Sequence, residues 1–325
     1  MNAARAGVAA VAALLLAGLL LPKWLLFLVA MSAANGIVCL GIVLLMRGGV
    51  VSFGQGLVFA GGGYAAALLA NRLGVSDALL LTLAGGAVAT VLVLPFAALL
   101  ARYRGIFFSM LTLALSMVLY GVLVKTDALG GSDGFNMSRP TFAGVRVADA
   151  WSDYALYAYA VALAGLLGVI TRIYFDSSRG LVSLAVRDNE LRVEYLGASV
   201  TRVMAANFVL AAFLGGIGGA LAIMRLGHIE PTFSYWTTSG EFVFVAILAG
   251  HYSVVAVLLA SFVLELVRSF SSAYFPNTWQ MALGIFLLLV IRFLPRGVGS
   301  LWADPHAARK SGGRWRMSGV RRAVQ

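Results

Sequence analysis

Long apolar runs are the feature that most constrains what this chain can fold into. A helix needs about 20 predominantly apolar residues to cross the hydrocarbon core of a bilayer, and windows of that kind recur along the 325 residues. Hydrophobic residues make up 61% of the chain and charged residues 11%, whereas a soluble domain carries roughly 25% charged residues. The sequence therefore predicts an all-α fold, a polytopic helical bundle in a membrane.

About ten transmembrane or partly spanning helices are predicted. Their approximate bounds are 7–21, 25–46, 50–70, 78–101, 105–124, 154–174, 203–224, 240–250, 254–270 and 278–294. The first run is predicted to remain as a helix, because no small-x-small cleavage signal follows it. The segment 240–250 is too short to span alone, and with 254–270 it is expected to form a broken or re-entrant pair. Residues 1–301 are predicted to be the transmembrane domain, and 302–325 a basic, disordered tail.

The distribution of basic residues predicts the orientation. With the N-terminus inside, the cytoplasmic segments hold 17 of the 24 lysines and arginines. Because cytoplasmic loops carry the excess of Lys and Arg, both termini are expected to face the cytoplasm. The hydrophilic segment 125–153 then faces outward and 175–202 faces inward. In a membrane protein the location of the net charge of +11 indicates orientation, and no nucleic-acid partner is predicted.

Ionisable side chains are scarce in the predicted helices. Such groups mark proton relays, ion coupling and voltage sensing when they lie at membrane depth. Four are expected near helix ends: Glu241, Glu265, Arg268 and Arg292. This scarcity argues against a proton-driven transporter, a voltage-gated channel and an intramembrane enzyme. The sequence has no P-loop motif, a single cysteine and three scattered histidines, so no catalytic residue, cofactor or metal site is predicted.

Uncharged polar positions within the apolar runs are the candidates for a solute path. The set comprises Asn35, Ser52, Gln55, Thr112 and Ser116, together with Gly54 in the glycine-rich stretch 50–70. Ser52 and Gln55 lie in the glycine-rich stretch 50–70, and irregular backbone at membrane depth occurs only beside protein or a water-filled cavity. The alternative role for each residue is hydrogen bonding between helices, worth about 0.6 kcal/mol on average.

The inward loop is predicted to contain one short amphipathic helix over 183–197. Apolar residues such as Leu184, Val186 and Val193 alternate there with charges of both signs, and Gly197 supplies a helix stop. Mixed charges favour a protein partner over anionic lipid. The alternative is a solvated connector.

Six stretches resemble the M-type permease subunit of branched-chain amino acid ABC importers. In chain order they are Ser52-Phe53-Gly54-Gln55 with Phe59 and Gly63-Tyr64, Arg102-Tyr103-Arg104-Gly105 through Ala114, Gly130-Gly131-Ser132-Asp133-Gly134, Arg187-Asp188-Asn189-Glu190 through Gly197, Ala212-Phe213-Leu214-Gly215-Gly216 through Ala220, and Phe293-Leu294-Pro295-Arg296-Gly297. The resemblance covers roughly residues 30–300, in the family's order. Each motif alone is weak, and the ordered set is specific.

The resemblance implies a multi-pass subunit of a bacterial inner-membrane importer. The implied partners are a second permease, two ABC ATPases, a periplasmic solute-binding protein and the lipid bilayer. The loop 175–202 would be the ATPase-coupling loop, through Arg187, Asp188, Asn189, Glu190, Glu194 and Gly197. The periplasmic loop 125–153 would dock the binding protein through Asp127 and Asp133, unless it is simply a solvated loop.

Two departures from the family pattern weaken any inference about the substrate. Gln55 stands where the family has a histidine, and the glycine-rich motif expected after residue 250 is largely absent. Branched-chain amino acids are the first expectation, and urea, amides and aromatic acids remain alternatives within the family. A self-contained secondary transporter is the alternative outside it.

Overall fold

The computed structural model describes residues 2–142, 144–145, 147–250, 253–276 and 278–293. Over this part of the chain it contains twelve helices. They are α1 (Asn2–Gly18), α2 (Lys23–Arg47), α3 (Gln55–Arg72), α4 (Ala78–Leu100), α5 (Gly105–Lys125), α6 (Asp149–Asp176), α7 (Ser178–Asp188), α8 (Glu190–Tyr195), α9 (Val200–Leu226), α10 (Trp236–Ala249), α11 (Val254–Tyr274) and α12 (Trp279–Phe293). Two-residue strands β1 (Phe135–Asn136) and β2 (His228–Ile229) pair antiparallel.

Six of these helices are long and apolar enough to cross a membrane: α2, α4, α5, α6, α9 and α11. Four other apolar helices, α1, α3, α10 and α12, contain 14 to 18 residues each. Only α7 and α8 lie outside this apolar set within the described ranges. The prediction of an all-α, polytopic membrane bundle is therefore confirmed.

Helices α2, α3 and α9 form the centre of the bundle, α4 packs against them with one face, and small residues bring these backbones close together. A Cβ atom added at Gly62 of α3 would lie 2.2 Å from the carbonyl oxygen of Gly216 in α9. One added at Gly219 would lie 2.0 Å from the carbonyl oxygen of Phe59. Glycine removes the side chain that would otherwise hold the helices apart. The helix α9 is buried along most of its length for this reason.

The helix predicted over 50–70 begins only at Gln55. Residues 50–54 are irregular, and their backbone groups bond to hydroxyls of α5: the Phe53 amide donates to Thr112 Oγ1 (3.2 Å), and Ser109 Oγ donates to the Val51 carbonyl (2.7 Å). Gly49 has a φ of +83°, which ends α2 in the left-handed region. Protein hydroxyls thus satisfy the non-helical backbone.

A second irregular segment, 227–235, turns from the end of α9 back into the bundle. Its 3₁₀ turn, Pro231–Ser234, packs against α3 and α5. Ser116, near the middle of α5, donates its hydroxyl to the Ser234 carbonyl at 2.7 Å. The helix α10 begins directly after this turn, and its 14 residues are fewer than the roughly 20 that a span requires.

The 240–270 region forms two helices, α10 and α11, which contact one another. The residues between them, 251 and 252, lie outside the described part. The predicted tail 302–325 also lies outside it, as do residues 294–301, which hold most of the Phe293–Gly297 motif.

Candidate functional site

Two regions at opposite ends of the bundle hold the candidate functional residues. The first, at the end where α2 finishes and α9 begins, comprises α7 and α8. The prediction of one helix over 183–197 is wrong, because the helix breaks at Asn189, whose φ of −164° is extended. The Asn189 side chain caps α8 instead, accepting a hydrogen bond from the Arg192 amide at 2.9 Å.

The helix α8 ends at a glycine, as the sequence predicts. Gly197 has a φ of +85°, its amide donates to the Glu194 carbonyl, and the Ala198 amide donates to the Val193 carbonyl. This pair of bonds is the Schellman motif, which favours glycine at the left-handed position. Both ends of α8 are therefore fixed by its own sequence.

The exposed face of α8 is apolar as well as charged. Val186 of α7 and Val193 of α8 are buried against the bundle. Leu191, Tyr195 and Leu196 are 66%, 89% and 82% exposed. Around them lie Arg187, Asp188 and Glu194, which are also exposed. The prediction of one amphipathic helix places the leucines and valines of 183–197 on a single face. In the structure, Val186 and Val193 face the bundle, whereas Leu191 and Leu196 are exposed on the other side.

One ion pair ties α8 to the membrane helices. Arg104, immediately before α5, donates through Nε to Glu190 Oε1 at 2.6 Å. The same guanidinium donates to the carbonyls of Ala101 and Tyr103. The ion pair thus joins the first residue of α8 to the residue that precedes α5.

Most of the predicted path residues are packed between helices rather than around a large cavity. Ser52 and Ser116 are fully buried, and Thr112 is 1% exposed. Gly54 and Thr112 border a void of about 10 Å³, roughly the volume that one water needs. Gln55 is also buried, and its Oε1 atom has no hydrogen-bond partner. Asn35 is the member of the set that borders a larger space.

That larger space is a cavity of about 500 Å³ at the other end of the bundle. It lies between the first half of α2, the segment 230–238, α10, α11 and the start of α12. Its volume falls within the range typical of small-molecule sites, about 300–1,000 Å³. Five aromatic side chains line it: Phe27, Phe59, Phe233, Phe242 and Trp279.

The polar wall of the cavity carries charges of both signs. Arg268 of α11 forms an ion pair with Glu241 of α10 (Nη1 to Oε2, 3.2 Å), and its guanidinium lies 5.5 Å from the centre of the Trp279 ring. Asn35 donates from Nδ2 to Glu265 Oε2 at 3.1 Å. Glu230 lines the same space.

The prediction that Glu265 lies near a helix end is wrong, because Glu265 is near the centre of α11. Glu241 lies in the second turn of α10, and Arg268 lies less than two turns before the end of α11. Asn35 is at the centre of α2. The error arose because α11 extends to Tyr274, four residues beyond the predicted end. The signal was present in the sequence, since ionisable residues within an apolar helix indicate a functional site by default.

The segment 125–153 contributes two exposed carboxylates. Asp127 and Asp133 are both exposed, on either side of the turn formed by Gly130 and Gly131. The strand β1 that follows pairs with β2 next to the cavity-lining segment. Asp127 and Asp133 therefore lie on the cavity side of the bundle, opposite α8.

Comparison with known proteins agrees with this architecture. The family described as "Branched-chain amino acid transport system / permease component" matches residues 24–292. The chain is 28% identical over 288 residues to the high-affinity branched-chain amino acid transport system permease protein LivM of Salmonella typhimurium, covering 81% of this chain and 67% of that protein. The LivM protein of Escherichia coli is 27% identical over 274 residues, covering 77% and 64%.

The chain thus spans about two thirds of the length of these relatives. No solved structure matches it. Because the family match extends over most of the sequence and six helices have membrane-spanning length, the chain belongs to the branched-chain amino acid transport permease family, as a multi-pass transport component of the bacterial inner membrane and not an enzyme.

Proposed function

We propose that this chain is the membrane-spanning permease subunit of an ATP-driven importer. Together with a second permease it would form the path for branched-chain or related amino acids delivered by a periplasmic binding protein. ATP hydrolysis would take place on two separate ABC ATPase subunits. Family membership supports the class of transporter, and the relatives' names supply the substrate class.

The single observation that carries the coupling role is the exposed face of α8. Leucine and tyrosine side chains exposed next to charges of both signs are typical of a surface that a protein partner covers. Leu191, Tyr195 and Leu196 fit the apolar contact, and Arg187, Asp188 and Glu194 fit the polar rim. A lipid-binding helix would instead carry mainly basic residues on its polar face.

The ion pair between Arg104 and Glu190 supplies the mechanical connection. When the ATPases close, they would push α8, and the salt bridge would carry the displacement into α5. Ser116 of α5 is bonded to Ser234, which precedes α10. The displacement would therefore reach the cavity through Arg104, α5, Ser116 and α10.

The test is co-purification followed by transport. We expect a tagged chain, solubilised in mild detergent, to bring down a P-loop ATPase and a second polytopic permease. Replacing Leu191, Tyr195 and Leu196 by serine should release the ATPase and leave the second permease bound. A matched control replaces Leu181, an exposed apolar residue of α7, with serine. Retention of the ATPase by the triple variant would contradict the docking assignment.

A self-contained secondary transporter is the second candidate, because Glu241, Glu265 and Arg268 lie within helices, where ion-coupled carriers place such groups. Reconstitution separates the two functions. The importer requires ATP and the partner subunits, whereas a secondary transporter would move solute with this chain alone and an ion gradient. Gradient-driven uptake by the lone chain would overturn the importer proposal.

A further inference from the structure

Helix α7 buries little apolar surface against the bundle. Its buried residues are Gly180, Ser183 and Val186, and of these only Val186 has an apolar side chain, with Val182 partly buried beside it. Apolar burial is the usual means by which a helix is held to its neighbours, so α7 needs a further attachment. Because α7 leads into α8 through Asn189 alone, whatever holds α7 also determines where α8 lies.

A chain of two hydrogen bonds supplies that attachment. The Tyr174 hydroxyl, in the last turn of α6, donates to Asn207 Oδ1 at 2.6 Å. Asn207 Nδ2 in turn donates to Ser183 Oγ at 2.8 Å. Asn207 and Ser183 are 0% and 2% exposed. Both ends of the Asn207 amide therefore have a protein partner, and the chain joins α6, α9 and α7 in the interior of the protein.

Stability alone does not require a buried amide at this position. Asn207 lies in the third turn of the apolar helix α9, and burying an amide costs free energy unless it is hydrogen-bonded. Replacing both partners of a buried hydrogen bond by apolar groups of the same shape can be nearly neutral or stabilising. The polar chain instead provides a fixed geometry, because its two bonds form only at one rotation and one height of α7 relative to α9.

The helix at the other end of this chain, α9, is the one that packs most closely against its neighbours. A Cβ atom added at Gly218 would lie 2.7 Å from the carbonyl oxygen of Ala34 in α2, in addition to the close contacts of α9 with α3. The ion pair between Arg104 and Glu190 differs, because its side chains are 26% and 41% exposed and it leads to α5. The segment of α7 and α8 thus has a partly exposed connection to α5 and a buried connection to α9.

We propose that Asn207 is a positioning residue for coupling to the ATPase, and that it makes α7 and α9 move as one unit. Asn207 contacts neither the ATPase nor the solute. It acts through Ser183, by holding α7 in one orientation on α9, so that a displacement of α8 shifts the central helix instead of bending the chain within α7. This inference rests on the proposed importer function and adds to it a second route, from α7 into the centre of the bundle.

The test replaces the polar chain with apolar side chains. The variant Y174F/S183A/N207L removes all three polar groups together, so that none is left buried without a partner. The matched control is Tyr159→Phe: Tyr159 is also on α6, and its hydroxyl also forms a bond of 2.6 Å, but to Thr82 of α4. Two quantities are measured: hydrogen exchange at the α7 amides in the purified chain, and the amount of leucine transported per ATP in the reconstituted complex.

In the triple variant we expect the α7 amides to exchange at least tenfold faster, because α7 opens without unfolding of the bundle. The amount of leucine transported per ATP should fall at least threefold, while the ATPase still co-purifies and the thermal unfolding midpoint stays close to that of wild type. The control Y159F should leave both quantities at their wild-type values. A merely structural role would lower the unfolding midpoint and leave the transport ratio unchanged.

A wild-type transport ratio in the triple variant would overturn the proposal, as would unchanged exchange in α7 or an equal loss of coupling in Y159F. If the triple variant fails to fold, Ser183→Ala breaks the bond to α7 alone, and the same outcomes apply. Exchange is measured without partner subunits. Faster exchange in the variant, with no ATPase bound to the wild-type chain, would therefore contradict the importer assignment and leave the attachment of α7 standing. Unchanged exchange in a wild-type complex that transports leucine would do the opposite.

Discussion

Replacing Gly62 with alanine should destabilise the bundle, whereas the same change at the adjacent Gly61 should not. A Cβ at Gly62 would lie 2.2 Å from the Gly216 carbonyl oxygen, and ordinary contact begins near 3.4 Å, so α3 and α9 would have to separate by about 1.2 Å. At Gly61 the nearest atom is Leu92 Cδ2 at 3.2 Å, the end of a flexible side chain.

The two substitutions share the same propensity gain, since alanine is favoured over glycine within a helix by about 0.8–1 kcal/mol. Overpacking typically lowers the free energy of unfolding by about 1–3 kcal/mol. For Gly62 we expect a loss at or above the upper end of this range, because both of the colliding atoms are fixed to helix backbones. The helix α3 has little room to move aside, because α4 also packs closely against it: a Cβ at Gly85 would lie 2.9 Å from the Gly62 carbonyl oxygen. The free energy of unfolding should therefore fall by about 2 kcal/mol for G62A.

The single cysteine provides the assay. Cys39 of α2 is fully buried, so a fluorogenic maleimide reports unfolding of the bundle centre from one site. For G62A we expect a thermal unfolding midpoint (Tm) about 4–8 °C below that of wild type, from the usual relation between the free energy of unfolding and Tm. G61A should lie at or above the wild-type value. Equal midpoints for the two variants would refute the close α3–α9 contact.

Three further predictions concern the route from α8 to the cavity. Arg104→Met should change the free energy of unfolding by no more than about 1 kcal/mol, because the pair with Glu190 is partly exposed, but it should lower the amount of solute transported per ATP. The R104E/E190R double variant should restore that ratio. The control Arg172→Met breaks the exposed pair with Asp176 and should leave the ratio unchanged. Asn189→Ala should lower the free energy of unfolding by about 1 kcal/mol, because α8 loses its N-terminal cap, and it should speed proteolysis between α7 and α8. Asn189→Asp keeps a capping oxygen and should preserve resistance to protease. Ser116→Ala should lower the free energy of unfolding by about 0.6 kcal/mol, because it removes the bond to the Ser234 carbonyl. A loss of solute transport without any loss of stability would place Ser116 in the solute path instead.

Local sequence was sufficient for the features that depend on a few neighbouring residues. The apolar runs are long enough to identify α2, α4, α5, α6, α9 and α11, because spanning length is a property of the segment alone. Gly197 was identifiable as the end of α8 for the same reason, since a left-handed C-cap needs only glycine at one position. The order of the six motifs identified the family.

Other features were inaccessible to local reasoning. The periodicity of 183–197 is continuous, and it does not reveal that the Asn189 side chain caps a second helix. The start of α3 at Gln55 depends on Ser109 and Thr112, more than 50 residues away in the chain, whose hydroxyls satisfy the irregular backbone. Such bonds exist only once α5 has packed against the loop.

The sequence by itself determined the class of this protein, because membrane insertion responds to the hydrophobicity of each segment. The tertiary structure decided which polar residues share a space. Ser116 and Thr112 are held in bonds between packed segments, while Asn35, Glu241, Glu265 and Arg268, from three helices, meet at one cavity. Their separation along the chain reaches 230 residues between Asn35 and Glu265, and only the packing of α2 against α11 brings them within hydrogen-bond distance.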